Sequence, residues 1–135
     1  MEAIEIITKM MHKDEFSQWL GIQHEEIEPG ISKLIMTIRP EMCNGFGIAH
    51  GGITYSLADS ALAFASNSRG KHALSIETSI SHIHPCYSKD ILTAVAEELS
   101  LEEKLAIYQV KITNQNNQLV ALFKGTVYRK QTDWE

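Results

Sequence analysis

Cysteine is scarce in this chain: Cys43 and Cys86 are the only two. Two cysteines in 135 residues do not make a disulfide framework, and a reducing, cytoplasmic location is the default expectation. No apolar run approaches the roughly 20 residues that cross a bilayer, so no membrane partner is expected. A basic excess is also missing. The formal net charge is -5, which argues against the basic face that non-specific nucleic-acid binding requires. Residues Met1 to Met11 mix Glu and Lys with apolar side chains and lack the basic start and apolar run of a secretory signal. Linkers, internal repeats and low-complexity stretches are lacking as well. What is there is ordinary for a globular chain, 44% hydrophobic and 21% charged, with length enough for one domain over residues 1–135 and a core inside it.

Periodicity divides the chain into helices and strands. Ala3 to Leu20 reads as one helix with an imperfect stripe of Ile4, Ile7, Met11 and Leu20, stopped at Gly21. Ile22 to Glu28 reads as a strand, Pro29-Gly30 as a turn, and Lys33 to Arg39 as a second strand with Leu34, Met36 and Ile38 on one face, ended by Pro40. Glu41 to His50 is a loop. Gly51 to Ser68 is a second helix, with Ile53, Leu57, Ala61 and Phe64 at helical spacing and Asn67-Ser68-Arg69-Gly70 as its stop. Four further strands are expected, near Ala73 to His84, Ile91 to Leu99, Leu105 to Thr113 and Leu119 to Arg129, with turns at Glu102-Glu103-Lys104 and Asn114 to Gln118. Consecutive strands joined by short turns predict an antiparallel meander packed on the apolar helix, an α+β fold.

One helix stands apart chemically. From Gly51 to Ser68 the only charged side chain is Asp59. Its helical angle sets it opposite the Ile53–Phe64 stripe, on a small, semi-polar face with Gly52, Tyr55, Ala63 and Ser66. An acid on the solvated side of a helix is the ordinary alternative, since Asp is mostly exposed. A solvated face, however, normally carries several charges, and this one carries none besides Asp59. Just upstream runs Asn44-Gly45-Phe46-Gly47-Ile48-Ala49-His50-Gly51-Gly52. Glycines before a helix permit close approach of a ligand to backbone, and the helix start offers unpaired N–H groups able to stabilise an oxyanion. The Asn44 amide is a further donor. A glycine-rich turn with an ordinary cap would look the same, and the run is not a Walker A loop, which ends in Gly-Lys-Ser or Gly-Lys-Thr.

The run from Asn44 to Asp59, N-G-F-G-I-A-H-G-G-I-T-Y-S-L-A-D, resembles the signature of hotdog-fold thioesterases, above all the phenylacetate-pathway (PaaI-type) group. The similarity continues through Asn67-Ser68-Arg69-Gly70, His84-Pro85 and Val120-Ala121-Leu122-Phe123-Lys124-Gly125. It implies an antiparallel sheet wrapped around a long central helix, and dimers or tetramers whose active sites lie between subunits. It implies an acyl-CoA substrate, aryl or medium-chain, with Asp59 as nucleophile or general base. By motif match, Asn44 and the Gly51 N–H would polarise the thioester carbonyl, His50 would shape the loop, and Ser75 would help place water. Gly52, Tyr55, Arg69 and Pro85 follow as candidates for substrate contact. The sequence departs from the family pattern at Ile48-Ala49, where relatives often carry Thr-Cys, and at His84, where an Arg commonly precedes the Pro. Both positions bear on the acyl pocket or on CoA contacts.

A thioester carbonyl is electrophilic and CoA thiolate leaves readily, so one carboxylate with an oxyanion site suffices; no metal or cofactor is expected. Other groups carry weaker signals. No Cys-His-Asn order surrounds Cys43, which reads as a small packed hydrophobe. His82, His84 and Cys86 share one strand face but form no metal motif. Arg69, Lys71 and Lys89 lie near predicted loops and are candidates for CoA phosphates or simply solvated surface charges. Two other functions fit the same fold: a non-catalytic acyl-CoA-binding module, against which Asp59 argues, and an acyl-CoA dehydratase, whose Asp and His arrangement is not found.

Overall fold

In the computed structural model, which describes residues 1–135, the chain opens with two helices where the apolar stripe predicted one. Helix α1 spans Ala3–Lys13 and α2 spans Glu15–Leu20. The break is at Asp14, whose backbone leaves the helical region and whose carboxylate instead accepts the Ser17 N–H. An Asp that caps the next helix competes with continuing the first. Gly21 then ends α2 at a φ of 76°, the left-handed conformation that favours glycine.

Strands β1 (Gln23–Glu28) and β2 (Ile31–Thr37) form a hairpin. Its turn residue Gly30 has a φ of 82°, and a Cβ there would come within 2.8 Å of Glu98 Oε2. A short 3-10 turn at Pro40–Met42 leads into the glycine-containing loop. Helix α3 (Gly51–Asn67) follows, then β3 (Lys71–His82), β4 (Ile91–Leu101), β5 (Leu105–Thr113) and β6 (Leu119–Asp133).

All six strands join one antiparallel sheet in the order β1-β2-β4-β5-β6-β3. Short turns do pair β1 with β2, β4 with β5 and β5 with β6, as expected. The meander fails at β3, which pairs along its length with the last strand, from Lys71 opposite Asp133 to His82 opposite Ala121. The segment after it cannot turn back tightly. It crosses to the far side of the sheet, held by Ile83 N–H donating to Val120 O, by Ala49 N–H donating to Cys86 O, and by reciprocal bonds between Ile38 and residues 89 and 90. β3 is therefore an edge strand.

The sheet curls around α3. Leu34 and Met36 of β2, Leu92, Ala94 and Ala96 of β4, Ala106, Tyr108, Val110 and Ile112 of β5, and Ala121, Phe123 and Val127 of β6 all face inward and are buried. They meet Leu57, Ala58, Ala61, Leu62, Phe64 and Ala65 of α3, which is buried over most of its circumference. The buried Ser32 hydroxyl donates to Ala61 O across this contact at 2.8 Å. An antiparallel sheet wrapped around one long helix is the α+β hotdog arrangement. No helix is long and apolar enough to cross a membrane.

Candidate active site

Asp59 sits in the middle of α3, half-buried. With Leu62, Ala63 and Ser66 of the same helix face it lines a cavity of about 180 Å³, closed by Ala73, Leu74 and Ser75 of β3 and Val127 of β6. The structure thus brings Asp59 and Ser75 to one site, although sixteen residues separate them in sequence. The pairing of β3 with β6 shifts register between Ser75 and Glu77. Such an irregularity re-aims the neighbouring side chains, and here it lies at the wall of the cavity. Burial raises the pKa of the Asp59 carboxyl above the ordinary aspartate range, and the negative charge of Asp14 raises it further. A carboxylate in that setting is a stronger base and nucleophile than one in water.

The loop before α3 is braced from within. Asn44 Oδ1 accepts from Phe46 N–H at 2.9 Å and from Ile48 N–H at 3.4 Å. The Asn44 backbone closes the same turn, donating to Ile48 O and accepting from Gly47 N–H. The carbonyl end of the Asn44 side chain therefore holds the loop, and the NH2 end is its donor end. His50 is the N-cap of α3 and is exposed, with its backbone N–H on Met42 O. Gly51 and Gly52 form the exposed first turn of the helix, where N–H groups have no intrahelical acceptor.

One neighbour of this turn was not singled out for it in the sequence. The His82 ring lies against Gly51, so close that a Cβ on Gly51 would come within 3.1 Å of His82 Nε2. Its Nδ1 also lies 3.3 Å from the hydroxyl of the buried Thr54. His82 thus belongs to the start of α3, and no three His, Cys, Asp or Glu side chains, His84 and Cys86 included, converge into a metal-binding group. The alternation of Thr78, Ile80 and His82 toward the helix is the one signal that could have found it. Thr78 marks the same face, since its hydroxyl and that of Tyr55 share a hydrogen bond at 2.6 Å. The Tyr55 ring meets Phe123 edge-on.

Arg69 is exposed past the end of α3 with its guanidinium bidentate on Glu98, at 3.0 and 2.9 Å. Tyr108 donates to the same carboxylate, and although desolvation pushes Glu98 up, these two partners hold it below its usual range. Lys71 pairs with Asp133, and Pro85 is exposed on the crossing segment after β3. A larger concavity, about 980 Å³, lies between α1 and the end of β6; Asp14 and His72 border it and Asp59 does not.

The family profile described as thioesterase superfamily matches residues 46–121. The chain is 40% identical over 134 residues to a protein of Archaeoglobus fulgidus, covering 98% of this chain and 87% of that one. It is 35% identical over 120 residues to the acyl-coenzyme A thioesterase PaaI of Escherichia coli, covering 89% of this chain and 86% of that one. The solved structure of E. coli PaaI, from the phenylacetic acid degradation operon, superposes with a TM-score of 0.95 at 33% identity, over 97% of this chain and 95% of that one.

Proposed function

The chain belongs to the thioesterase superfamily and is an acyl-CoA thioesterase, and from that premise we propose that Asp59 of one subunit works with the Asn44–Gly51 loop of a second copy of the chain. The observation that carries this reading is Asp59 itself. It is the one charged group of α3, half-buried in an apolar-walled cavity that desolvates it and raises its basicity.

Helix geometry supports the second copy. Gly51 and Asp59 are eight residues apart on one helix, which separates them by about 12 Å along its axis at ~1.5 Å per residue. A carbonyl touching Asp59 is out of reach of the Gly51 N–H of the same chain. Edge strand β3 leaves Leu74 and Ile76 57% and 60% exposed, and its outer backbone is unpaired. A long apolar edge invites pairing with another strand. Antiparallel pairing of β3 with its own copy about a two-fold axis sets the two α3 helices side by side in opposite directions. Asp59 of each then faces the start of the other.

In that site the Asn44 amide and the Gly51 N–H donate to the thioester carbonyl oxygen and stabilise the negative charge it gains. His50 lies next to these donors at the helix cap. Two routes use the same groups. Asp59 attacks the carbonyl carbon, giving a mixed anhydride that water hydrolyses, or it takes a proton from water that attacks directly. Ser75 beside Asp59 holds that water. In both routes the C–S bond breaks, its electron pair leaves with sulfur, and one water is consumed to yield a carboxylic acid and CoA. Leu62, Ala63, Leu74 and Val127 suit an apolar acyl group, aryl or medium-chain; Gly52, Tyr55, Arg69 and Pro85 lie outside this cavity and are proposed as contacts for the rest of the substrate.

The test is CoA release from a panel of acyl-CoAs. Asp59→Asn and Asp59→Ala are expected to lower kcat by ~10²–10⁴, and Asn44→Ala by ~10²–10³. Full activity in Asp59→Asn would refute the mechanism, and failure of the wild-type protein to release thiol from any acyl-CoA would refute the reading of the site.

A further inference from the structure

Gly51 and Gly52 open α3 side by side, yet their surroundings differ. A Cβ added at Gly52 would meet nothing within 4 Å, so that side of the turn is open to a ligand. A Cβ added at Gly51 would come within 3.1 Å of His82 Nε2 and 3.3 Å of His82 Cε1. The imidazole thus rests on the Gly51 α-carbon in the place of a side chain. Gly51 is not one of the glycines with a left-handed φ, so its backbone angles alone do not call for glycine. The ring calls for it.

Hydrogen bonds tie the ring to the same turn. Thr54 is 3% exposed and donates its hydroxyl proton to Gly51 O at 3.1 Å. A hydroxyl has one proton to give, so His82 Nδ1, 3.3 Å from the same oxygen, is the donor of that pair. The donors run in one direction, from His82 through Thr54 to the Gly51 carbonyl, and bonds in such a row strengthen one another. The row is anchored, because His82 is the last residue of β3 and pairs with Ala121 of β6. Gly51 is therefore held twice from the sheet, at its α-carbon by the ring and at its carbonyl through Thr54.

We propose that His82 is a positioning residue of the hydrolysis, holding Gly51 so that its N–H points at the oxyanion. The proposal rests on the reading of that N–H as an oxyanion donor. Glycine lets a substrate approach the backbone but leaves the backbone its greatest freedom, and helix ends fray. A donor stabilises the developing charge only when it is already aimed at it. His82 supplies the stiffness that a Cβ would give, and it does so from the sheet side, leaving the open side over Gly52 to the substrate.

Two substitutions at position 82 separate the parts. His82→Ala removes ring and donor, whereas His82→Asn keeps an amide nitrogen near the place of Nδ1. For the full chain, kcat, KM and Tm are measured, and the ¹⁵N order parameter of the Gly51 amide is read by NMR relaxation without substrate. In His82→Ala, kcat falls ~10-fold or more at unchanged KM. The Gly51 order parameter falls with it, and Tm stays close to wild type. His82→Asn recovers most of both. Thr54→Val, which keeps the shape and removes the hydroxyl, lowers kcat in the same way and decides the matter if His82→Ala fails to fold. Wild-type kcat in His82→Ala overturns the proposal. A raised KM at unchanged kcat also overturns it, by making His82 a binding contact, as does a Gly51 order parameter that is the same in every variant. Wild-type protein inert toward every acyl-CoA tested would sink the reading of the site instead, and the order parameter, measured without substrate, keeps the two failures apart.

Discussion

Burial makes Asp59 costly to keep charged, and the cost has a sign that can be measured. Its folded-state pKa lies above the unfolded value because burial, and then Asp14, disfavour the anion. The native state therefore binds this proton more tightly than the unfolded chain does. The stability it contributes is fully present below the unfolded pKa and is lost as pH rises through the folded one. Asp59→Asn, neutral throughout, is expected to melt above the wild type at neutral pH. The difference should close as pH falls from the raised folded-state pKa to the ordinary aspartate value, and a series of thermal melts across that window reads it. Cys86 gives a second prediction. It is 4% exposed, and burial, with Asp90, pushes its thiol up to about 11. A thiol held neutral and buried reacts slowly. Cys86→Ser should thus leave the number of thiols labelled by a disulfide reagent in the native protein at neutral pH unchanged. Asp59 was legible in the sequence because isolation of a charge along a helix is visible in one dimension. His82 was not, because it meets Gly51 and Thr54, about thirty residues away, through contacts that only the folded chain creates.

Among the elements, α3 against the sheet sets the tightest tolerance. Gly125 of β6 lies beneath it, where an added Cβ would come within 2.6 Å of Leu62 Cδ2 and 3.2 Å of the Phe123 ring. Leu62 also lines the Asp59 cavity. Gly125→Ala is expected to destabilise the fold by ~1–3 kcal/mol through overpacking and to displace Leu62 into the cavity, raising KM for bulky acyl-CoAs more than for small ones. Pairing it with Leu62→Ala should recover part of the Tm, because the clash is with that side chain; denaturant melts of the single and double variants measure the coupling. The helix itself was readable because its buried residues repeat at helical spacing and its ends carry glycine and Asn-Ser-Arg-Gly. The strands were readable by alternation, as in Leu34 and Met36 against Lys33 and Thr37. The break at Asp14 was hidden because α1 and α2 continue one apolar stripe, and only the turn of the Asp14 carboxylate onto Ser17 separates them. The place of β3 was hidden for a different reason. Short turns announce local pairing, whereas β3 ends at His82 and β6 begins at Leu119, with two other strands between them, and the sequence of either strand would suit several neighbours.

At the scale of the whole molecule, the site is a statement about symmetry. In the proposed dimer, a two-fold axis through paired β3 strands would make both copies of the interface alike, giving two sites, each built from the Asp59 of one chain and the Asn44–Gly51 loop of the other. Ile76→Lys puts a charge on the exposed edge and is expected to shift the protein toward monomer in sedimentation or light scattering, with its fold intact and CoA release lost. Loss of activity alone would also follow from a damaged cavity wall, so the decisive measurement is complementation. Asp59→Asn and Asn44→Ala are each expected to be nearly inactive as homodimers. In a mixed dimer, the Asp59 of the Asn44→Ala chain meets the Asn44 of its partner, and that one site is intact while the other carries both lesions. Random exchange of equal amounts makes about half of the dimers mixed, each with one good site of two, so activity should recover to about a quarter of wild type. Were both groups drawn from the same chain, every site would keep one lesion and mixing would recover nothing. Activity that rises on subunit exchange, on the timescale on which the dimers dissociate, therefore assigns the two halves of the site to different chains.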